Sequence, residues 1–474
     1  MYEILSLLIE NISNFMYSYL LIIMLLAVGL YFTIRTRFVQ FRFLGESIRL
    51  VTEKKNDGNS VSAFEALMVS TASRVGTGNI VGVANAIAIG GYGAVFWMWL
   101  IALIGGASAF VESTLAQIYK KRDKDGGSYG GPAYYIEAAM GGKRWLGIIF
   151  AVALIATYAG GFNMLCSYNL ITSLSGYSFY GNPETSLVPI ICGGLLAVLV
   201  GICVFGGGKR IVKVTGVMVP VMGVSYIIIA LVFMVLNISL ISEVLKNIFV
   251  SAFDFKAIFG GFAGSALMQG IKRGLYSNEA GVGSAPNAAA AAEVSHPVKQ
   301  GLVQMLSVFI DTILVCTATA MMCLSSGIVP SPELTGAPFV QSALASKLGN
   351  FGFYFITFAL LLFAFTTLIG NLFYCDGCLN YIANRTVSKK TMTVFRIAAC
   401  VLVFLGALMD FSMVWNLADV LMGIMAIINL PVIVVLGKIA LAALKDYNEQ
   451  RNAGKDPQFK AASIGLQGKT DFWN

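Results

Sequence analysis

Eleven stretches of this 474-residue chain stay apolar for about 20 residues, the length an α-helix needs to cross a hydrocarbon core about 30 Å thick. They run approximately over 15–34, 61–89, 94–119, 145–172, 187–205, 211–237, 257–293, 300–328, 350–375, 392–409 and 412–437. Only 12% of the residues are charged, against about 25% in soluble domains. In water such a chain would expose apolar surface at roughly 25 cal/mol per Å², so its solvent is lipid. The pattern predicts an all-α polytopic membrane protein, one membrane unit with short tails.

The basic residues test that reading independently. Arg35, Arg37, Arg42, Arg49, Lys54 and Lys55 follow the first span, and Lys120, Lys121, Arg122, Lys124, Lys143 and Arg144 follow the third. Lys209, Arg210 and Lys213 follow the fifth, Lys299 the seventh, and Arg385, Lys389 and Lys390 the ninth. The intervening loops carry little beyond Lys246, Lys256 and Lys347. This alternation places the N-terminus outside and the C-terminal tail in the cytoplasm. The net charge of +8 is therefore a topology signal, and nucleic acid is not an expected partner. The first apolar run precedes Arg35 and Arg37, which marks a retained helix and not a cleaved signal. Eight scattered cysteines give neither a disulfide framework nor a zinc spacing, and Cys375 and Cys378 read as packed thiols.

Two spans are interrupted. The second carries Arg74 and the cluster Gly76-Thr77-Gly78-Asn79 in mid-span; the seventh carries Lys272, Arg273, Asn278, Glu279 and Pro286. A Lys or Arg at the centre of a membrane helix costs about 2.5–3.5 kcal/mol on the gentlest scale, so such residues face a cavity or a partner. Shifted by 199 positions, the two segments align Arg74 with Arg273, Asn79 with Asn278, Gly82 with Gly281 and Val83 with Val282. They open consecutive five-helix sets and enter from opposite sides, the arrangement of an inverted repeat. Glycine-rich helices also pack tightly without breaking, but the charges beside both clusters favour breaks. Gly76, Gly78 and Gly82 form a degraded dinucleotide motif lacking the required strand, and Gly206-Gly207-Gly208 is a turn.

A half-helix N-terminus offers amides to a carboxylate, and a half-helix C-terminus offers carbonyls to an ammonium group or a cation. In the second span Gly76 to Asn79 supply the amides, and Ser73, Arg74 and Val75 the carbonyls. Glycine suits these positions if the unwound turn needs unusual φ values. In the seventh, carbonyls near Gln269 and Gly270 and the side chain of Asn278 meet the ligand's amine. Thr366 and Thr367, adjacent in the ninth span, offer oxygens to a hard cation such as Na⁺. The common alternative for a membrane threonine is back-bonding to the preceding turn.

The stretches STASRVGTGNIVGVANAIAIGGYGAVFWMWLIALIG, GGSYGGPAYYIE and GLYSNEAGVGSAPNAAAAA closely resemble the alanine/glycine:cation symporter family, sodium-coupled carriers of alanine or glycine. The resemblance covers essentially the whole chain. It implies eleven helices: an extra N-terminal helix (15–34), a first repeat (61–237) and an inverted second repeat (257–437), five plus five in the leucine-transporter manner, then a tail (438–474). Carried over by position, the first break is Val75 to Asn79 and the second Gln269 to Asn278. The sodium site comprises Thr366, Thr367 and the carbonyls of Ser73 and Arg74. The implied activity is secondary active import of alanine or glycine across the cell membrane, driven by a sodium gradient, by alternating access around a midplane site. Neither an organic cofactor nor an obligate protein partner is expected.

A channel needs a continuous polar pathway, whereas these charges cluster at two breaks. An enzyme needs a nucleophile and base or a metal set, and the single histidine, His296, stands at a span boundary without partners in sequence. Coupling to protons is the remaining alternative, through Glu65, Glu112 or Glu279.

Overall fold

The computed structural model describes residues 2–53, 61–122, 127–182, 185–254, 265–331, 334–409 and 411–473. The chain is mostly helical, and seven helices among the described residues are long and apolar enough to cross a membrane: Ile4–Arg35, Gly93–Ile118, Trp145–Thr172, Gly207–Leu236, Pro297–Leu324, Gly336–Ala383 and Met413–Asn452. The other four expected spans fall on shorter pieces. Val188–Val204 and Lys389–Gly406 are single helices, and the second and seventh spans are interrupted. Residues 257–264 of the seventh lie outside the described residues.

Boundaries differ where polar residues interrupt an apolar run without ending the helix. Helix begins at Tyr2, well before position 15, because Glu3 and Glu10 end the apolar signal but not the helix. The last helix likewise continues through the polar stretch KDYNEQRN to Asn452. Within Gly336–Ala383, Gly349 (φ 54°, ψ −144°) separates two helices, which accounts for the expected start at 350. Among the described residues four stretches widen to π-helix: Met16–Leu20, Gly78–Gly82, Ala156–Phe162 and Phe309–Cys316. Such widening frequently marks functional positions.

The outer surface is what lipid requires. On Gly207–Leu236 the side chains of Val217, Val221, Val224 and Ile228 all point outward. Helix Gly93–Ile118 is buried at the centre, where its run Gly105-Gly106-Ala107-Ser108-Ala109 permits close neighbours. Helices Ala266–Asn278 and Pro297–Val308 pack along it, and a Cβ on Gly274 would stand 2.6 Å from Ile101 Cγ2. Beyond Asn452 the tail folds back on the helix ends. Phe459 N–H donates to the Ser295 carbonyl (2.9 Å), Trp473 Nε1 to the Gln117 carbonyl (2.7 Å), and Lys299 Nζ binds Asp456 and Glu53, each at 2.6 Å.

Candidate functional site at the helix breaks

The first broken span starts with a capping box, Ser62 and Glu65 bonding each other's backbone N–H, and runs as helix from Ala63 to Arg74. Val75, with ψ 85°, leaves the helical region, and helix resumes as the π-turn Gly78–Gly82. The side chain of Asn79 folds back, its Oδ1 accepting from Gly76 N–H at 2.8 Å, and Asn79 N–H bonds the Gly76 carbonyl at 3.2 Å. Two of the four amides expected to face a ligand are thus engaged inside the break.

Gly76 and Gly78 are not there for unusual φ angles, contrary to the expectation, since neither lies in the positive-φ region. Close approach explains them. A Cβ on Gly76 would collide with Thr367 Oγ1, and one on Gly78 would stand 2.8 Å from Tyr276 Cδ1.

The two neighbouring threonines part company, as a rotation of about 100° per helical residue allows. Thr367 Oγ1 donates to the Ala72 carbonyl at 2.9 Å, beside Gly76. Thr366 Oγ1 bonds back to Leu362 and Phe363 carbonyls (2.9 and 3.1 Å) and faces Met222 on another helix. The carbonyl that meets Thr367 is therefore that of Ala72, one position before the expected Ser73 and Arg74. Ser73 contributes its hydroxyl instead, to Asn371 Oδ1 at 2.5 Å, and Asn371 reaches Asn163 at 2.9 Å.

The second break requires a correction. The stretch from Gln269 to Asn278 is continuous helix, Ala266–Asn278, capped by Ser265. The chain departs after it, through Glu279 (φ 54°), Gly281 (φ 83°) and Gly283 (φ 90°), and restarts at Pro286. Gly270 and Gly274 serve packing: a Cβ on Gly270 would stand 2.5 Å from Trp97 Cβ. Gln269 and Gly270 therefore sit two and more turns from Asn278, about 13 Å along the axis, against the start of helix Gly93–Ile118. Of the expected ligand residues Gln269, Gly270 and Asn278, only Asn278 joins the surroundings of the first break, through Thr312; Tyr276 and Ser277 of the same helix meet Gly78 and Asn79 directly.

Buried carboxylates and an amide hold the second break open. Glu112 accepts from Gly281 N–H at 3.3 Å and from Asn429 Nδ2 at 2.8 Å. Asn429 Nδ2 also donates to the Gly281 carbonyl (2.9 Å), while Tyr135 donates to Asn429 Oδ1 (2.6 Å). Ser284 Oγ donates to Glu279.

Between the breaks lies a cluster that sequence reasoning missed. Asn79 Nδ2 donates to Asp311 Oδ1 (2.6 Å) and Ser277 Oγ (2.9 Å); Ser277 and Thr312 hydroxyls donate to Asp311 Oδ2 at 2.7 and 2.8 Å. Thr319 Oγ1 caps the Asn79 carbonyl at 2.7 Å, and Asn278 Nδ2 approaches Thr312 Oγ1 at 3.3 Å. All six residues are buried. The available signal was a single acid in the apolar run SVFIDTILVC, since an ionisable residue inside a span marks function by default.

On the far side of Gly78, Tyr276 packs between Phe162 (centroids 4.7 Å) and Trp415 (5.1 Å). Arg273 stacks over Trp415 at 4.3 Å and pairs with Asp419 at 3.2 Å; Lys272 reaches the same carboxylate at 2.8 Å. Among the described residues Arg74 hydrogen-bonds the Ser307 hydroxyl and, at 3.4 Å, the Gln304 carbonyl. Its Nε and Nη2 are buried with no hydrogen-bond partner among the described residues.

Residues 2–461 match the sequence profile of the sodium:alanine symporter family. The chain belongs to that family. Its members are transport proteins and not enzymes. The chain is 45% identical to the amino-acid carrier protein AlsT of Bacillus subtilis over 461 residues, 97% of this chain and 96% of that one. It is 44% identical to the probable sodium/glutamine symporter GlnT of the same organism, over 97% and 94% of the two chains. Among solved structures, MhsT in complex with L-phenylalanine matches with a TM-score of 0.55 at 16% identity, covering 82% of this symporter-family chain and 93% of MhsT. At that identity the likeness establishes a shared transporter fold.

Proposed function

We propose that this chain imports a small neutral amino acid, alanine or glycine, driven by a sodium gradient, through alternating access around the two breaks. The chain would cross eleven times, in five-plus-five inverted repeats (61–237 and 257–437) after an extra N-terminal helix, with the N-terminus outside and the tail cytoplasmic. Supporting it are the family, the interrupted spans and the alternation of basic loops.

The observation that carries the mechanism is the meeting of Thr367 Oγ1 with the Ala72 carbonyl beside Gly76. These are hard oxygens at the C-terminal end of a half-helix, the chemistry that suits Na⁺. The carbonyls of Ser73, Arg74 and Val75 continue that end, and Thr366 Oγ1 joins only after rotating away from its own helix. A second set of oxygens, from Asp311, Ser277 and Thr312, touches Asn79 and offers a full negative charge to a cation. The substrate carboxylate is assigned to the amide of Gly78, since those of Gly76 and Asn79 are engaged inside the break and that of Thr77 faces the Cys166 sulfur. The amine is assigned to the Asn278 side, while Gln269 and Gly270 shape the packing behind it. Tyr276 against Gly78, backed by Phe162, limits the room for a side chain.

Uptake of labelled alanine into proteoliposomes with an inward sodium gradient tests this. Uptake should collapse when choline replaces Na⁺, glycine should compete, and leucine and phenylalanine should not. Uptake that persists in choline under an inward proton gradient would establish the proton-coupled alternative. Glutamine competing better than alanine would move the substrate to the one named for GlnT.

A further inference from the structure

Far from the breaks, the junction of the N-terminal helix with the last helix forms an open cavity of about 880 Å³. Arg35, Arg37 and Arg42 line it from one side, and Lys445 and Arg451 from the other. Its membrane end is apolar, formed by Ile34 and Leu441. The facing acids are few. Glu449 lies on the wall, 3.7 Å from Lys445; Glu46, behind it, pairs with Arg49 at 2.7 Å and with Arg451 at 3.7 Å. Among the described residues Arg35, Arg37 and Arg42 form no ion pair; Arg42 makes a hydrogen bond to the Arg37 carbonyl and lies over the Phe43 ring. Three guanidinium groups thus line one cavity with no ion-pair partner among the described residues.

The surroundings say which anion fits. The N-terminal span ends at Arg35, so the cavity opens at the membrane boundary. The next two short helices, Val39–Arg42 and Leu44–Val51, bury Val39, Phe43 and Leu50 and turn Phe41, Leu44 and Ile48 outward. Such an apolar stripe beside basic groups sits at the headgroup–acyl boundary of a bilayer. The turn itself holds Arg37 (φ 56°) and Phe38 (φ 58°) in the left-handed region, where glycine would be unstrained. It keeps an arginine facing the cavity and a phenylalanine, 53% exposed, beside it.

We infer that this cavity binds the phosphodiester headgroup of an anionic phospholipid, the guanidinium groups of Arg35, Arg37 and Arg42 holding the phosphate and the apolar stripe lying along the acyl chains. Basic pockets between helix ends are a recognised form of lipid site, and guanidinium suits phosphate by its planar fork of donors. The site would tie the short helices after the first span to the last helix, which carries Asp419 at its other end.

The test uses the full-length purified protein, delipidated in neutral detergent and titrated with phosphatidylglycerol, phosphatidylcholine or inorganic phosphate, with native mass spectrometry and the thermal midpoint as readouts. Phosphatidylglycerol should remain bound and raise the midpoint, phosphatidylcholine should do neither, and millimolar phosphate should not displace the lipid. Replacing Arg35, Arg37 and Arg42 together by Gln should weaken phosphatidylglycerol binding roughly a hundredfold, from the contribution of each basic residue at an anionic surface. Arg49→Gln, whose partner is Glu46, should leave it unchanged. Unaltered binding in the triple variant, equal binding of phosphatidylcholine, or displacement by phosphate would each overturn the assignment, the last in favour of a soluble anion. Should the triple Gln variant not fold, Arg→Lys at the three positions, which keeps charge but not the fork, must weaken binding by less than tenfold while the wild-type competition arms decide the rest.

Discussion

The two breaks lie in segments that align in sequence, yet they fall at different positions within them and are opened by different means. At the first, Gly76 and Gly78 have ordinary φ angles and are required because Thr367 and Tyr276 come too close for any side chain. At the second, Glu279, Gly281 and Gly283 turn through positive φ and are pinned by Glu112 and Asn429. Their arginines differ in the same sense. Arg273 is stacked and ion-paired, whereas Arg74, its counterpart at the shift of 199, leaves two nitrogens without a partner among the described residues. One break is a braced joint; the other is a meeting place for side chains from several helices.

The largest effect should come from removing the brace. Asp419→Ala strands both Lys272 and Arg273 in the interior, and breaking a buried pair from one side costs about 3–5 kcal/mol. Ser307→Ala, the equivalent change beside Arg74, should cost about 1 kcal/mol. Chemical denaturation in detergent measures both, and equal losses would erase the distinction between the arginines.

The next effect separates strain from contact. Gly281→Ala meets both a positive φ and Leu430 Cδ2 at 2.7 Å, so it should cost about 1–3 kcal/mol even when Leu430→Ala removes the contact. Gly76→Ala meets Thr367 first, at an ordinary φ, and Thr367→Ala should restore most of its stability. Failure of that rescue would show that backbone conformation, not proximity, selects Gly76.

These contrasts mark how far the sequence could be read. Apolar length and the alternation of basic loops made the membrane helices legible, and VGTGN betrayed the first break because glycine and a mid-span charge coincide there. The second break was misplaced because Gly270 and Gly274 carry the same signal for a different reason, close packing against Trp97 and Ile101. The true turn, EAGVG, needs left-handed angles, which composition alone does not reveal. Thr366 and Thr367 could not be told apart, since a phase error of one residue rotates a helix by about 100°. Asp311 was visible in SVFIDTILVC and went unused; besides its neighbour Thr312, the partners it gathers, Asn79 and Ser277, come from two other segments of the chain.

A smaller effect follows for the threonines. Thr367→Val removes the hydroxyl at the Ala72 carbonyl and should raise the sodium half-saturation roughly tenfold, the equivalent of about 1.4 kcal/mol. Thr366→Val removes one bonded to its own helix and should change it less than twofold. The reverse order in sodium-dependent uptake would return Thr366 to the ion site and remove Thr367.

The smallest effect expected on stability is the most informative about the first break. Arg74→Gln deletes a buried charge whose only described bonds are to Ser307 and the Gln304 carbonyl, and glutamine can reach the same hydroxyl. The attraction of Glu112, Glu279 and Asp311 is offset by the cost of leaving water with two nitrogens that have no hydrogen-bond partner among the described residues, so loss of the guanidinium should change stability by less than about 1 kcal/mol. Arg273→Gln, by contrast, removes charged hydrogen bonds to Asp419 and the stack on Trp415, and should cost about 2–3 kcal/mol. Arg74 faces the buried carboxylates Glu112, Glu279 and Asp311 around the breaks, so uptake should suffer more than folding when its charge is removed. Measured side by side, a loss of stability in Arg74→Gln as large as in Arg273→Gln would mean that Arg74 is fully partnered in the folded protein, and the contrast between a braced and an open break would fail.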